Sequence, residues 1–189
     1  PLAYKNWSEL IKPTKIDVNK EEQKDFGSVT IEPLERGYGL TIGNALRRIL
    51  LSSLQGAAVT AIQIDGVLHE FSSIPGMIED ITEFVLNVKS LALKLNSDQP
   101  KKMVLKASGP GEIKASQIDS GSEIEVINSD LILCHLEKSA KINLEFTVQN
   151  GKGYIPAEQQ KKEDKQIGLI FVDSIFSPVK KVSYNIENS

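Results

Sequence analysis

Residues Glu35 to Ser53 read ERGYGLTIGNALRRILLSS. Three glycines, Gly37, Gly39 and Gly43, follow the strand-like run VTIEP and precede an apolar run of helical period. That layout fits a dinucleotide-binding loop opening a helix, and it also fits a helix that holds another protein. The helical part separates the two readings. Ile42, Ala45, Leu46, Ile49, Leu50 and Leu54 fall at i, i+3, i+4, i+7, i+8 and i+12, one amphipathic stripe. Thr41 is the expected N-cap and Gly56 the expected stop. Leu51 points away from the stripe, with Arg47 and Arg48 between the two apolar sides. A helix that buries only one face has no use for that second side. Burying one Leu or Ile fully is worth about 1.5–3 kcal/mol, so leaving Leu51 and Leu54 in water is costly unless a partner covers them. The residues alone therefore point to an assembly module.

The glycines argue the same way. Their spacing is G-x-G-x-x-x-G, one residue longer than the common dinucleotide fingerprint. Pro33, Glu35 and Arg36 stand where a tight strand-to-helix turn is needed. The next strand alternates like an antiparallel one, whereas parallel strands covered on both sides read as continuous apolar runs. Glycines permitting a tight loop at positive φ account for the pattern without a ligand.

Composition agrees with a globular chain. Its 189 residues are 40% hydrophobic and 25% charged, with a net charge of −3. A chain binding duplex DNA mainly through phosphates would show a basic excess. The single cysteine, Cys134, excludes an intramolecular disulfide framework and fits a reducing, intracellular compartment. No apolar run approaches ~18 residues. PLAYKNWSELIKP lacks the basic-then-apolar layout of a secretory signal, and a start on Pro1 suggests a trimmed beginning.

Outward from the helix, Trp7, Leu10 and Ile11 suggest one helical turn stopped by Pro13. KIDVN and FGSVTIEP alternate as half-buried strands around the loop NKEEQKD. Ala57 to Phe71 reads as a strand entering a turn at Asp65-Gly66, with Val59, Ala61, Gln63 and Asp65 on one face. A second helix is expected through Ile78, Ile81, Phe84, Val85, Val88 and Leu91, with Glu79, Asp80 and Glu83 favourable beside its N-terminal dipole. LALKL, MVLKAS, GEIKAS, SEIEVI, LILCHL, KINLEFTVQ, LIFVDSIF and VKKVSYNI are strand-like. Ala157 to Gln166 reads as a surface loop. Helices set among antiparallel-type strands give an α+β fold, without βαβ alternation or an internal repeat.

Catalytic arrangements lack their parts. Cys134 and His135 are neighbours on a strand and point to opposite faces, so they form no dyad, and Cys134 reads as a small core residue. His69 and Glu70 likewise diverge if extended. No G-x-S-x-G occurs, and with two histidines and one cysteine no ligand spacing for a metal is visible. GKGYIP, Gly151 to Pro156, is either a glycine loop or a partner contact through Lys152 and Tyr154.

With these residues in hand, the chain resembles the N-terminal domain of the bacterial RNA polymerase alpha subunit. The motifs run in order: ELIKP, EPLERGYGLTIGNALRRILLSS, AVTAIQIDGVLHEFSSIPGMIEDITEFVLNVK, LCHL, GKGYIPAE and IFVDSIFSPVKKVSYNIE. The G-N-x-L-R-R core is shared with archaeal, plastid and eukaryotic counterparts; RILLSS and IDGVLHEF favour the bacterial form, with the plastid one second.

The resemblance implies a dimerisation domain, residues 1–55 and 182–189, with a β-rich domain inserted at 56–181. It implies a non-catalytic, cytoplasmic subunit without cofactor or metal, which dimerises and scaffolds the beta and beta-prime subunits of a nucleotidyltransferase. Tyr38, Ile42, Leu46 and Ile49 would lie toward the second alpha chain or the core beneath it. Arg47, Arg48 and Leu51 would face beta. His69, Glu70, Glu79, Asp80, Lys89, Lys152 and Tyr154 match further contact regions for the large subunits. The family continues past Ser189 into a second dimer helix, a linker and a C-terminal DNA-binding domain, so DNA contact falls outside these residues.

Overall fold

The computed structural model describes residues 15–20, 26–69, 72–160 and 167–188. The expected turn at Trp7, the body of the NKEEQKD loop, Glu70 and the second half of the 157–166 loop lie outside the described residues. The chain divides into two compact units, residues 1–48 with 182–189 and residues 49–181.

In the first unit, β1 (Lys15–Lys20) and β2 (Gly27–Glu32) form an antiparallel ribbon with Val18 opposite Val29 and Ile16 opposite Ile31. Helix α1 spans Tyr38–Ser52 and crosses from this unit into the next. It begins earlier than the capping pattern indicates. Thr41 lies inside the first turn and its hydroxyl reaches back to the Gly37 carbonyl at 3.5 Å, so Thr41 is not the N-cap. Gly37, at φ +88°, turns the chain into the helix. Gly56 is not the stop either: the helix ends at Ser52 and Gly56 belongs to the following strand.

The second unit is built on β3 (Gln55–Ile64). One edge of β3 pairs along its length with β9 (Lys141–Lys152), from Gln55 opposite Lys152 to Ile64 opposite Leu144. The other edge is shared. Ala57 meets Leu93 of β4 (Leu93–Leu95), and residues 61–63 meet β11 (Leu169–Phe171). β5 (Lys101–Ser108) closes the far side of β9, and β7 (Ile124–Val126) pairs with β4, completing six antiparallel strands. An antiparallel pair, β6 (Gly111–Lys114) with β8 (Ile132–Leu136), and a short pair, β10 (Tyr154–Ile155) with β12 (Ser174–Ile175), stand beside it. The fold is α+β and mostly antiparallel, as the sequence indicates.

Helix α2 spans Ile81–Lys89 and buries Ile81, Phe84 and Val88, which are three to four residues apart. Asp80 is its N-cap, accepting from the Glu83 amide at 2.8 Å. Ile78 stands ahead of the helix and is 68% exposed, so it does not extend the buried stripe. The core gathers Phe84, Phe146, Ile62, Met103, Leu105, Ile113 and Leu133.

Two strand readings change. β3 carries a bulge between Val59 and Ala61, and residues 58–62 are all buried. Strict alternation fails at this bulge, where the far end of the chain takes the strand's other edge: the Thr60 carbonyl accepts from the Val172 amide, and Ser174 donates to the Val59 carbonyl. VKKVSYNI forms no strand; residues 179–186 run without regular structure. Ala157–Gln160, expected as loop, is a short helical turn, α3.

Candidate functional site

Helix α1 buries none of its residues within the chain. Tyr38, Leu46 and Ile49 of the expected dimer stripe are exposed, at 42, 41 and 48%, and Ile42 is half-buried. Arg47 and Arg48 are exposed, and Leu51 is half-buried. At 100° per residue, Leu40 lies almost in line with Leu51, three turns earlier, and it is 55% exposed. Sequence reasoning did not single out Leu40, although its i, i+11 spacing to Leu51 places it on the second face. In the ribbon Ile16, Val18 and Val29 are exposed as well, and so is Phe26 just ahead of β2. So many large apolar groups left 41–61% exposed along one helix and one ribbon mark an interaction surface.

The remaining glycines have a structural use. A Cβ on Gly39 would meet Ile186 at 3.2 Å, and one on Gly43 would meet the Tyr184 ring at 2.6 Å. The segment 182–188 therefore packs on the helix where side chains are missing. The Tyr184 hydroxyl also bonds Asn44 Oδ1. These contacts occupy the helix surface beside Gly39 and Gly43.

The other candidate residues are distributed over the second unit. His69 is exposed and bonds the Ser72 hydroxyl at 3.3 Å. Glu79 and Asp80 are engaged within the chain. Asp80 caps α2, and the Glu79 carboxylate holds His135 twice, through the ring Nδ1 and through the backbone amide at 2.8 Å. Burial raises the Glu79 pKa, but the hydrogen bonds from His135 outweigh it and the carboxyl lies below its ordinary value. The bond to Glu79 in turn lifts His135 above its ordinary value. Cys134, on the opposite face, is fully buried, and burial pushes its thiol up to about 12.

Lys89 and Tyr154, far apart in sequence, meet at Asp173. Lys89 Nζ lies 3.5 Å from Asp173 Oδ2, the Ala157 amide donates to Oδ1 at 2.7 Å, and Tyr154 also bonds the carboxylate. The Ala157 amide is the main reason the Asp173 carboxyl lies below its ordinary value. Partial desolvation, then the Asp173 charge, push the Tyr154 phenol up. Gln160 ties the same corner together, donating to the carbonyls of Ile155 and Val172 at 3.2 and 2.9 Å. Nothing in the sequence marks Asp173, because its partners come from three separate segments. Lys152 is exposed one residue before Gly153, which turns at φ +65°. Among the described residues no group of His, Cys, Asp and Glu could hold a metal ion.

This arrangement offers polar clusters that stitch loops together and apolar faces that remain uncovered. Comparison with known families gives a match to the RNA polymerase Rpb3/RpoA insert domain over residues 62–177, more than half of the chain. The chain belongs to that family. It is thus a part of an RNA polymerase subunit, and the matched region covers most of the β-rich second unit. The resemblance to the polymerase alpha chain, read from the motifs around the GNALRR helix, agrees with the match over the Rpb3/RpoA insert domain, although that helix lies before its start.

Proposed function

We propose that this chain is a non-catalytic assembly subunit of a bacterial DNA-directed RNA polymerase, working in the cytoplasm. It dimerises with a second copy of itself and scaffolds the beta and beta-prime subunits. The observation that carries the reading is helix α1, fifteen residues long, with apolar side chains on two faces and none of them buried in its own chain. Two faces left partly exposed have room for two occupants. The stripe Tyr38, Ile42, Leu46 and Ile49 takes the twin chain, and the face of Arg47, Arg48 and Leu51, extended by Leu40, takes beta.

The domain division follows the same reading: residues 1–55 and 182–189 serve dimerisation, and 56–181 form the inserted domain. Lys152, Tyr154 and Lys89 present a basic and aromatic surface to a large subunit, with Asp173 fixing Lys89 and Tyr154. His69 and Glu70 belong to the same contact region. Glu79 and Asp80 serve it indirectly, by shaping the segment ahead of α2. DNA is reached only through a further C-terminal domain.

The test is co-purification from cells with partners identified by mass, followed by a pull-down on beta with the Arg48→Ala variant. The expected result is recovery of beta and beta-prime with the parent chain, and weakened capture of beta by the folded variant. Unchanged capture of beta would remove Arg48 from the interface; absence of both large subunits would overturn the function.

A further inference from the structure

Glu79 and His135 form a contact whose titration the assembly role does not use. The segment 74–80 lies along β8: the Ile78 amide donates to the His135 carbonyl at 2.9 Å, and the Glu137 amide donates to the Gly76 carbonyl at 2.8 Å. Met77 pairs with Leu136. This segment carries the exposed Ile78 and leads directly into the cap of α2. One carboxylate closes the contact. Glu79 is only 13% exposed and spends both oxygens on His135, one on the ring and one on the amide.

We propose that the Glu79–His135 pair is a protonation-dependent latch, which fastens segment 74–80 to β8 and loosens as the imidazole loses its charge. The charged groups acting on the ring are Glu79 and, directly across the β6–β8 pair, Glu112. Helix α2 also packs on β8 and contributes the neutral Asn87 amide, which donates to the Leu133 carbonyl at 2.9 Å. Two carboxylates thus favour the imidazolium. A neutral imidazole keeps a hydrogen bond through Nδ1–H but loses the charge attraction, so the latch weakens without vanishing.

The direction follows from linkage. His135 binds its proton more tightly in the folded chain, so this stabilisation is full below pH 6.5 and is lost as pH rises through the folded value. Glu79 is more acidic when folded, so its share is present above pH 4.5 and is lost as pH falls through its folded value. The latch is tightest between these limits. Because Ile78 rides on the latched segment, its presentation varies as pH rises through the folded His135 value.

The test is NMR titration of His135, with hydrogen exchange at the Ile78 and Glu137 amides, in the parent chain and in Glu79→Gln. The expected result is a His135 value above 6.5 in the parent that falls in Glu79→Gln. Protection of both amides, corrected for intrinsic exchange, should drop by roughly twofold or more as pH rises through the parent value. His135→Gln should remove this pH step even if Glu79→Gln folds poorly. A parent His135 titrating at its ordinary value, or a protection profile indifferent to either substitution, would overturn the latch.

Discussion

Gly56 and Gly151 lie opposite each other across β3 and β9, and Phe176 fills the space their absent side chains leave. A Cβ on Gly56 would stand 1.9 Å from the Phe176 carbonyl oxygen, and one on Gly151 would stand 2.9 Å from its ring. Phe176 is buried, and its amide donates to the Gly153 carbonyl at 2.8 Å. The pair of glycines thus admits Phe176, just past β12, onto the sheet. Gly56→Ala should destabilise the chain by about 3 kcal/mol, since a backbone oxygen cannot yield as a side chain can. Phe176→Ala should cost about 3–5 kcal/mol. Urea unfolding of both variants checks these values.

Gly43→Ala is the contrasting case. The obstacle is the Tyr184 ring rather than backbone, and alanine gains about 1 kcal/mol of helix propensity over glycine. Global stability should change by less than about 1 kcal/mol, while the Tyr184–Asn44 bond breaks and segment 182–188 leaves the helix. Loss of contacts between Tyr184 and α1 in nuclear Overhauser spectra, with an unchanged unfolding midpoint, is the expected outcome.

Asp173 is an acid-sensitive point. Its folded value lies below the ordinary 3.8, chiefly through the Ala157 amide, so its stabilisation holds above that pH and is lost as pH falls through the folded value. Asp173→Asn should cost about 1 kcal/mol at pH 7, because the carboxylate is partly exposed and its bond to Lys89 is screened. The cost should shrink toward pH 3. Unfolding curves of parent and variant at several pH values measure it.

Cys134 should resist alkylation in the native chain. Its thiol is buried and pushed up to about 12, so almost no thiolate exists at pH 8. Modification by iodoacetamide should follow global unfolding in denaturant and show no fast phase without it.

A charge on the uncovered helix stripe tests self-association. Leu46→Asp with Ile49→Asp places two carboxylates on side chains that are exposed in the single chain, so folding of the monomer should be spared. Self-association measured by sedimentation should weaken at least tenfold, the equivalent of about 1.4 kcal/mol. Equal association of parent and variant would remove the stripe from the dimer contact.

Elements with a strong period were legible in the sequence. The spacing of Ile81, Phe84 and Val88 gives α2 its buried face, and the alternation in MVLKAS and KINLEFTVQ gives β5 and β9. Two-sided helix α1 was legible for the same reason. What failed had non-local causes. The Thr60 bulge depends on Val172 and Ser174 arriving from the far end of the chain. VKKVSYNI alternates yet finds no strand to pair with among the described residues. At the candidate sites, Glu79 looks like a surface acid until His135 is seen beside it. Asp173 became visible only once folding brought Lys89, Tyr154 and Ala157 around one carboxylate.

The shared edge of β3 also sets a schedule for synthesis. Strand QGAAVTAIQI leaves the ribosome with its pairing partner on β9 still roughly eighty to a hundred residues away, and β11 later still. At about 5–20 residues per second, that interval is on the order of ten seconds. Throughout it the edge of β3 that β9 will take stands open in the nascent chain, a natural client for chaperones and the point where aggregation would begin. Pairings this distant also close slowly once the chain is free.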